Sequence, residues 1–377
     1  MTFKVYLIAG EPSGDLLGAR VMRALKNRMP ECQIFGVGGE SMRAEGLKSL
    51  FDIKDLAVMG FFEVMPHLPK IFKHFTDLQR DIARVQPNII MTIDSYSFSI
   101  RVHKMLKKNG CMVPHVHLVA PQVWAWKKGR SKTIGRVVDH LFCLLPNEPA
   151  YFAPYGMPTT FVGHPVIEGG ADMGNAKAFR SEHNIPFEKR IVCLLPGSRS
   201  NEIKYLLKDF MHVADNLLIV HPDLLFVVPT LETVKEKVSA VMAHWKTPHL
   251  IVTGERERYN AFAASSAALA ASGTVSLELA LAGVPHLIAY RLNKLTAWLA
   301  RRLLKIKYVN LLNLLENKPL IPELLQENCT VEKMTQVMDR LIKGEKQDVT
   351  FALAKLRKET NPSDQVVDKL IQLARNA

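Results

Sequence analysis

Short apolar runs and amphipathic stripes alternate along almost the whole chain. The run Phe3-Lys4-Val5-Tyr6-Leu7-Ile8-Ala9 is followed by Leu16, Leu17, Val21, Met22, Leu25 and Met29 at the spacing of one helix face. A second run at 32–37 completes a βαβ unit, and runs at 88–93, 113–119, 140–145 and 159–162 extend it. Apolar strands alternating with helices predict a parallel sheet covered on both faces. After Gly163-His164-Pro165, a polar stretch through Lys189 carries Gly169, Gly170, Gly174 and Pro186 and reads as linker. The pattern then restarts, with strands predicted at 190–195, 224–228, 249–253, 267–271 and 285–290, and three helical patterns follow Val331. The expectation is an α/β chain with two Rossmann-like doubly wound domains, at 1–165 and 190–345, a linker at 166–189 and C-terminal helices at 346–377. Two such domains facing a central cleft match the GT-B architecture. Dehydrogenases, epimerases and periplasmic-type binding proteins pair similar domains, so architecture alone does not assign function.

The length of 377 residues exceeds what a single core supports, which agrees with two domains. The N-terminal apolar run is too short for a signal peptide, and no stretch approaches the ~20 apolar residues of a spanning helix, so a cytoplasmic protein is expected. Five scattered cysteines without a CxxC pair predict reduced thiols and no zinc site. A formal charge of +13 calls for an anionic partner: nucleic acid, anionic lipid or a phosphorylated substrate.

Ligands of open α/β sheets sit beyond the carboxyl ends of the strands, so the loops there are the places to look. The first, Gly10-Glu11-Pro12-Ser13-Gly14-Asp15, is neither GxGxxG nor a P-loop. Two carboxylates would repel a phosphate, so this loop suits sugar hydroxyls or proton transfer, with Glu11 in the site; Ser13 or Asp15 could instead cap a helix starting at Leu16. The third strand delivers Asp94, a candidate base for an attacking hydroxyl or a cap for a helix from Phe98. In the second half, Pro196-Gly197-Ser198-Arg199 puts a glycine turn, a hydroxyl and a guanidinium at a strand-to-helix junction, a composition that binds phosphate. A second such turn, Ser272-Gly273-Thr274, precedes Glu278, which could accept from ribose hydroxyls or complete a capping box.

Seven strings, spread in order through both halves, carry a family resemblance: GEPSGD (10–15), LAVMGFFEV (56–64), PQVWAW (121–126), VGHP (162–165), LLPGSR (194–199), ASGTVSLE (271–278) and YVNLLNLL (308–315). They resemble those of lipid-A-disaccharide synthases. That resemblance implies an inverting transfer of 2,3-diacylglucosamine from UDP-2,3-diacylglucosamine to 2,3-diacylglucosamine 1-phosphate (lipid X). The products are a β(1→6) disaccharide and UDP. It implies Asp94 as base, Glu11 and Ser13 in the catalytic site and Arg199 balancing leaving-group charge, with Gln122, His164, Ser198, Ser272, Gly273, Thr274, Glu278 and Asn313 contacting substrate. No metal or other cofactor is implied. Pro12 replaces a threonine common in relatives, and a second acid often found near Asp94 is absent, which concentrates the base assignment on Asp94.

Two rivals follow from the same residues. A UDP-sugar 2-epimerase or hydrolase would share the nucleotide half. A nucleic-acid binder is suggested by Trp124 and Trp126 followed by Lys127, Lys128, Arg130, Lys132 and Arg136, but no RNP, KH or zinc pattern accompanies them, and no nucleic-acid partner is expected. Self-association is left open. The apolar–basic stripes at 61–75, with Leu68, Ile71 and Phe72, and at 294–307 read as membrane-surface segments or as core. Acylated substrates favour the first, and with it a peripheral place on an anionic surface, the cytoplasmic face of the inner membrane.

Overall fold

The computed structural model describes residues 2–56, 68–123, 129–271, 273–291 and 307–376, excluding the side chains of Leu68, Pro69, Ile71 and Phe72. The chain forms two compact units, Met1–Pro165 with Leu356–Ala377, and Val166–Lys355.

The first unit is built on a six-stranded sheet with strands β1 (Lys4–Ala9), β2 (Gln33–Val37), β3 (Ile89–Ile93), β4 (His115–Leu118), β5 (His140–Cys143) and β6 (Thr159–Phe161). Their order is β2-β1-β3-β4-β5-β6 and every pairing is parallel. Helices α1 (Pro12–Arg28), α2 (Glu40–Ala44), α3 (Leu68–Val85), α4 (Tyr96–Lys108), α5 (Gly129–Ile134) and α6 (Pro149–Phe152) connect them. Alternation along β1 divides its side chains between two cores: Val5, Leu7 and Ala9 join Val21, Met22 and Leu25 of α1, while Tyr6 and Ile8 join Leu78, Ile82, Phe98 and Val102 of α3 and α4. Burial on both faces is why these strands read as unbroken apolar runs.

The second unit repeats the scheme with β7 (Arg190–Leu195), β8 (Leu224–Thr230), β9 (His249–Thr253), β10 (Ser265–Ala270), β11 (His286–Tyr290) and β12 (Glu323–Leu325), in the order β12-β11-β10-β7-β8-β9. Its helices are α7 (Ala176–Glu182), α8 (Ser200–Val220), α9 (Glu232–Met242), α10 (Glu255–Ala264), α11 (Thr274–Leu281), α12 (Leu311–Glu316), α13 (Val331–Ile342) and α14 (Thr350–Ala354). All eleven runs predicted as strands are strands; β12, three residues long, is added. The stretch expected as linker contains α7, whose Phe179 is buried in the second unit. The segment expected as a C-terminal tail is divided: α14 stays with the second unit, while α15 (Pro362–Arg375) returns to the first and places Val366, Val367 and Leu370 beneath β1 and β3.

Candidate active site

In the first sheet the winding direction reverses between β1 and β3, so the loops after those strands diverge and leave a crevice at their carboxyl ends. Register sets Ala9 beside Ile93, so both loops begin level. Helix α1 starts at Pro12, one turn earlier than the sequence predicts, because proline is preorganised for the first helical position. Its first turn lies against β3: a Cβ on Gly14 would sit 2.8 Å from the Ile93 carbonyl oxygen, so only glycine fits. This approach lets Ser13 Oγ donate to Asp94 Oδ2 at 2.6 Å.

Asp94 and Ser95 both take positive φ, 55° and 43°, and Val119 at the end of neighbouring β4 has φ 83°. Left-handed conformations cost non-glycine residues roughly 1–3 kcal/mol each and persist where the surroundings enforce them. The enforcement is visible: the Asp94 N–H donates to Leu118 O at 2.9 Å, and Ser99 Oγ donates to Asp94 O at 2.7 Å. Ser95, not Asp94, occupies the N-cap of α4, which begins at Tyr96, so the half-buried Asp94 carboxylate is turned to Ser13 and the crevice. Glu11 is exposed at the N-cap of α1 and makes no capping bond.

Asp15 is not a cap for its own helix. It is buried and accepts from the N–H groups of Gly39, Ser41 and Met42 at 2.6, 2.8 and 3.1 Å, closing the N-terminus of α2. Gln122 is exposed in the loop after β4, and His164 follows β6, its N–H donating to Leu356 O at 2.9 Å. Burial, then the Arg20 charge, brings His164 down to about 4. The sequence reading missed the layer behind Asp94. There Thr92 Oγ1 lies 2.7 Å from His103 Nε2 and 2.6 Å from His117 Nδ1, and burial lowers His117 to about 4, so the layer is polar and uncharged at neutral pH.

The second unit has its own reversal, between β7 and β10, with Leu195 beside Ala270. The following loops border a cavity of about 300 Å³ lined by Gly197, Ser198, Arg199, Gly273, Thr274 and Glu278, and by Glu202 and Arg258, which the sequence reading did not single out. Glu202 changes the reading of the first loop. Its Oε2 accepts from the N–H groups of Ser198 and Arg199 at 2.9 and 3.2 Å, and Arg199 Nη1 reaches its Oε1 at 3.2 Å. The backbone donors expected to hold a phosphate are thus already engaged by the helix's own carboxylate, while the Arg199 side chain remains 79% exposed.

The other loop is open. Gly273, φ 134°, precedes α11 without a capping side chain, and a Cβ there would meet nothing within 4 Å. Thr274 is exposed beside it, and Ser272 lies outside the described residues. Glu278 Oε1 accepts from Arg258 Nη2 at 3.0 Å and lies 3.3 Å from the Tyr259 hydroxyl. Asn313 does not line this cavity. It is fully buried, its amide donating to Ile321 O and Glu323 Oε1 at 2.7 and 2.8 Å and accepting from Ile321 N at 2.9 Å, so it ties its own loop together.

Residues 5–375 match the sequence profile of a family described as Lipid-A-disaccharide synthetase. This chain belongs to the lipid-A-disaccharide synthase family. A synthase of that name from Paramagnetospirillum magneticum is 48% identical over 344 residues, covering 90% of this chain and 88% of the relative. One from Shigella flexneri is 36% identical, covering 98% of both. Membership makes the chain a UDP-sugar glycosyltransferase of lipid A biosynthesis. Among solved structures, the UDP-GlcNAc 2-epimerase of Neisseria meningitidis bound to UDP-GlcNAc superimposes over 100% of both chains with a TM-score of 0.63 at 11% identity. That likeness establishes the GT-B-like fold and nothing of the chemistry. The epimerase rival rested on the shared nucleotide half, and the family assignment decides against it.

Proposed function

We propose that the chain transfers 2,3-diacylglucosamine from its UDP derivative to the 6-hydroxyl of 2,3-diacylglucosamine 1-phosphate. Asp94 takes the hydroxyl proton as the oxygen attacks the anomeric carbon. The carbon–oxygen bond to the diphosphate breaks in the same displacement, UDP leaves with the electron pair, and an α-linked donor gives a β product. The observation that carries this reading is the Asp94 carboxylate, held by Ser13 at a strained, glycine-cleared loop at the crevice of the first sheet. Strain of this kind concentrates where a side chain must be presented in one orientation.

The second unit holds the nucleotide. Its diphosphate is assigned to the uncapped N-terminus of α11 at Gly273 and Thr274, where the helix dipole and N–H groups favour anions, and its ribose to Glu278. Arg199, which lines this cavity with its side chain exposed, supplies positive charge to the leaving group, so that no metal is needed. Glu11 and Gln122 are assigned to the acceptor.

The acyl chains are taken from a membrane surface. Among the described residues no helix is long and apolar enough to span a bilayer, and the proposal is of peripheral binding. Leu68, Ile71 and Phe72 fall at the start of α3, where their side chains, like residues 292–306, lie outside the described set. Binding to anionic vesicles that fades with added salt, and with Ser at those three positions while UDP affinity stays, supports the surface. Unchanged flotation removes it.

The reaction itself is tested by incubating the purified protein with both acylated substrates and following UDP and disaccharide by mass spectrometry. UDP release without disaccharide overturns the transfer.

A further inference from the structure

The Arg258–Glu278 pair on the cavity wall has a use that the family assignment does not give it. Arg258 comes from α10 and Glu278 from α11, and both line the cavity of the second unit. The guanidinium donates through Nη2 to Glu278 Oε1 at 3.0 Å, and its carbon lies 5.0 Å from the centre of the Tyr259 ring. The Tyr259 hydroxyl is 3.3 Å from the same oxygen and 2.9 Å from Glu255 Oε1, and burial followed by the Glu278 charge keeps that phenol protonated. Arg258 Nε is buried without a hydrogen-bond partner. An arginine kept only for stability is a poor use of such a place, because a partly buried pair with an unsatisfied buried donor gains little over apolar packing.

The arrangement suits holding a carboxylate in one plane. A glutamate that must accept from two adjacent hydroxyls loses its rotamer freedom on binding unless something has already fixed it. Charge points the same way. Two carboxylates, Glu202 and Glu278, line a cavity assigned to an anionic ligand, and each has an arginine against it, Arg199 and Arg258. Without Arg258, Glu278 would repel a diphosphate.

We infer that Arg258 is the positioning residue for ribose recognition: it orients and neutralises Glu278 so that the carboxylate reads the vicinal hydroxyls of a ribonucleotide. This rests on the reading that the second unit holds UDP. Calorimetric titration of UDP and 2′-deoxy-UDP into the wild type, R258Q, E278Q and the double variant tests it, with melting curves to confirm folding. The wild type is expected to prefer UDP by about tenfold or more, the cost of leaving one charge-assisted hydrogen bond unmade. R258Q and E278Q should each bring that ratio to about two or below, and the double variant should fall no further.

A wild-type ratio in R258Q alongside a lost ratio in E278Q overturns the inference, as does a wild type that binds both nucleotides equally. Should R258Q fail to fold, R258K keeps the charge but not the planar fork, and an undiminished ratio there also overturns it. Absence of any UDP binding by the wild type is a different failure, that of the nucleotide assignment itself.

Discussion

The two sheets place their functional loops at equivalent points, yet they get backbone through those points by opposite means. In the first unit, the positive φ values in the loops after β3 and β4 fall on Asp94, Ser95 and Val119, all of which have side chains. In the second, the positive φ values among the described residues of the two cavity loops fall on Gly197 and Gly273. A loop that needs to aim only backbone N–H groups, at Glu202 after Gly197 or outward at Gly273, can use glycine, which adopts these conformations without steric cost. A loop that must present a carboxylate cannot, and accepts the strain. The difference matches the proposed division, with chemistry at the first crevice and nucleotide binding at the second.

The largest expected effect tests that division at its centre. Asp94→Asn preserves volume and the hydrogen-bonding position of Ser13 while removing the base, so disaccharide formation should fall by about two or more orders of magnitude. UDP affinity by calorimetry should stay within about twofold. A variant that retains full turnover would place the chemistry elsewhere and dissolve the contrast between the units.

Next is the converse test in the second unit. An Ala at Gly197 would have its Cβ 2.4 Å from Glu202 Oε2, at φ 117°. Left-handed backbone costs alanine roughly 1–2 kcal/mol, and displacing Glu202 leaves donors unmade at roughly 1–3 kcal/mol. Gly197→Ala should therefore lower stability by about 2–5 kcal/mol and weaken UDP binding, with both measured on the same preparation by denaturant melts and calorimetry. An unchanged melt would mean that Glu202 does not hold this loop.

How far the sequence carried the reading follows from the same physics. Strands buried on both faces leave continuous apolar runs, so those were visible; β12 carries Glu323 in a three-residue edge strand and left no such run. The anion-binding look of Pro196–Arg199 was legible, but not whose anion fills it. A Gly-Ser-Arg turn followed three residues on by Glu202 has the spacing of a capping box, and the helix supplies its own carboxylate. Asn313 lies in a short helix, capped by Asn310, whose pattern cannot tell a polar group facing a ligand from one tying a loop. Arg258 was hidden in Glu255-Arg256-Glu257-Arg258, where alternating charges do not say which one turns inward. Asp94 stood out as a carboxylate at a strand end and Gly14 only as a glycine in the first loop; that Gly14 clears a path for Ser13 to reach Asp94 is a fact of packing.

A smaller effect separates the units by pH. Burial lowers His117 in the first unit and His286 in the second to about 4, against 6.5 when exposed. A histidine held neutral in the fold binds fewer protons than in the unfolded chain, so its contribution is complete above pH 6.5 and is lost as pH falls toward 4. The slope is about 1.4 kcal/mol per pH unit for each such histidine. Melting temperature should drop between pH 7 and pH 5, and replacing His286 by Gln should flatten the dependence while leaving the first unit's share. A melt independent of pH over that range would show these rings to be hydrated.

The smallest expected change goes to the strain itself. Ser95 lies at φ 43° and ψ 56°, the left-handed region, and caps α4 with no side-chain bond. Glycine there relieves roughly 1–2 kcal/mol of steric cost and returns roughly 0.5–1 kcal/mol as added freedom of the unfolded chain, so Ser95→Gly should raise stability by about 0.5–1 kcal/mol. If strain only marks an accident of packing, turnover will not change. If it holds Asp94 against Ser13, the looser turn should lower turnover severalfold while UDP affinity, which the proposal gives to the other unit, stays fixed. Higher stability with slower turnover is the signature of a loop whose strain is retained for what it presents. Unchanged kinetics would leave the glycines of the second unit and the side chains of the first as two solutions to one steric problem, with no division of labour between them.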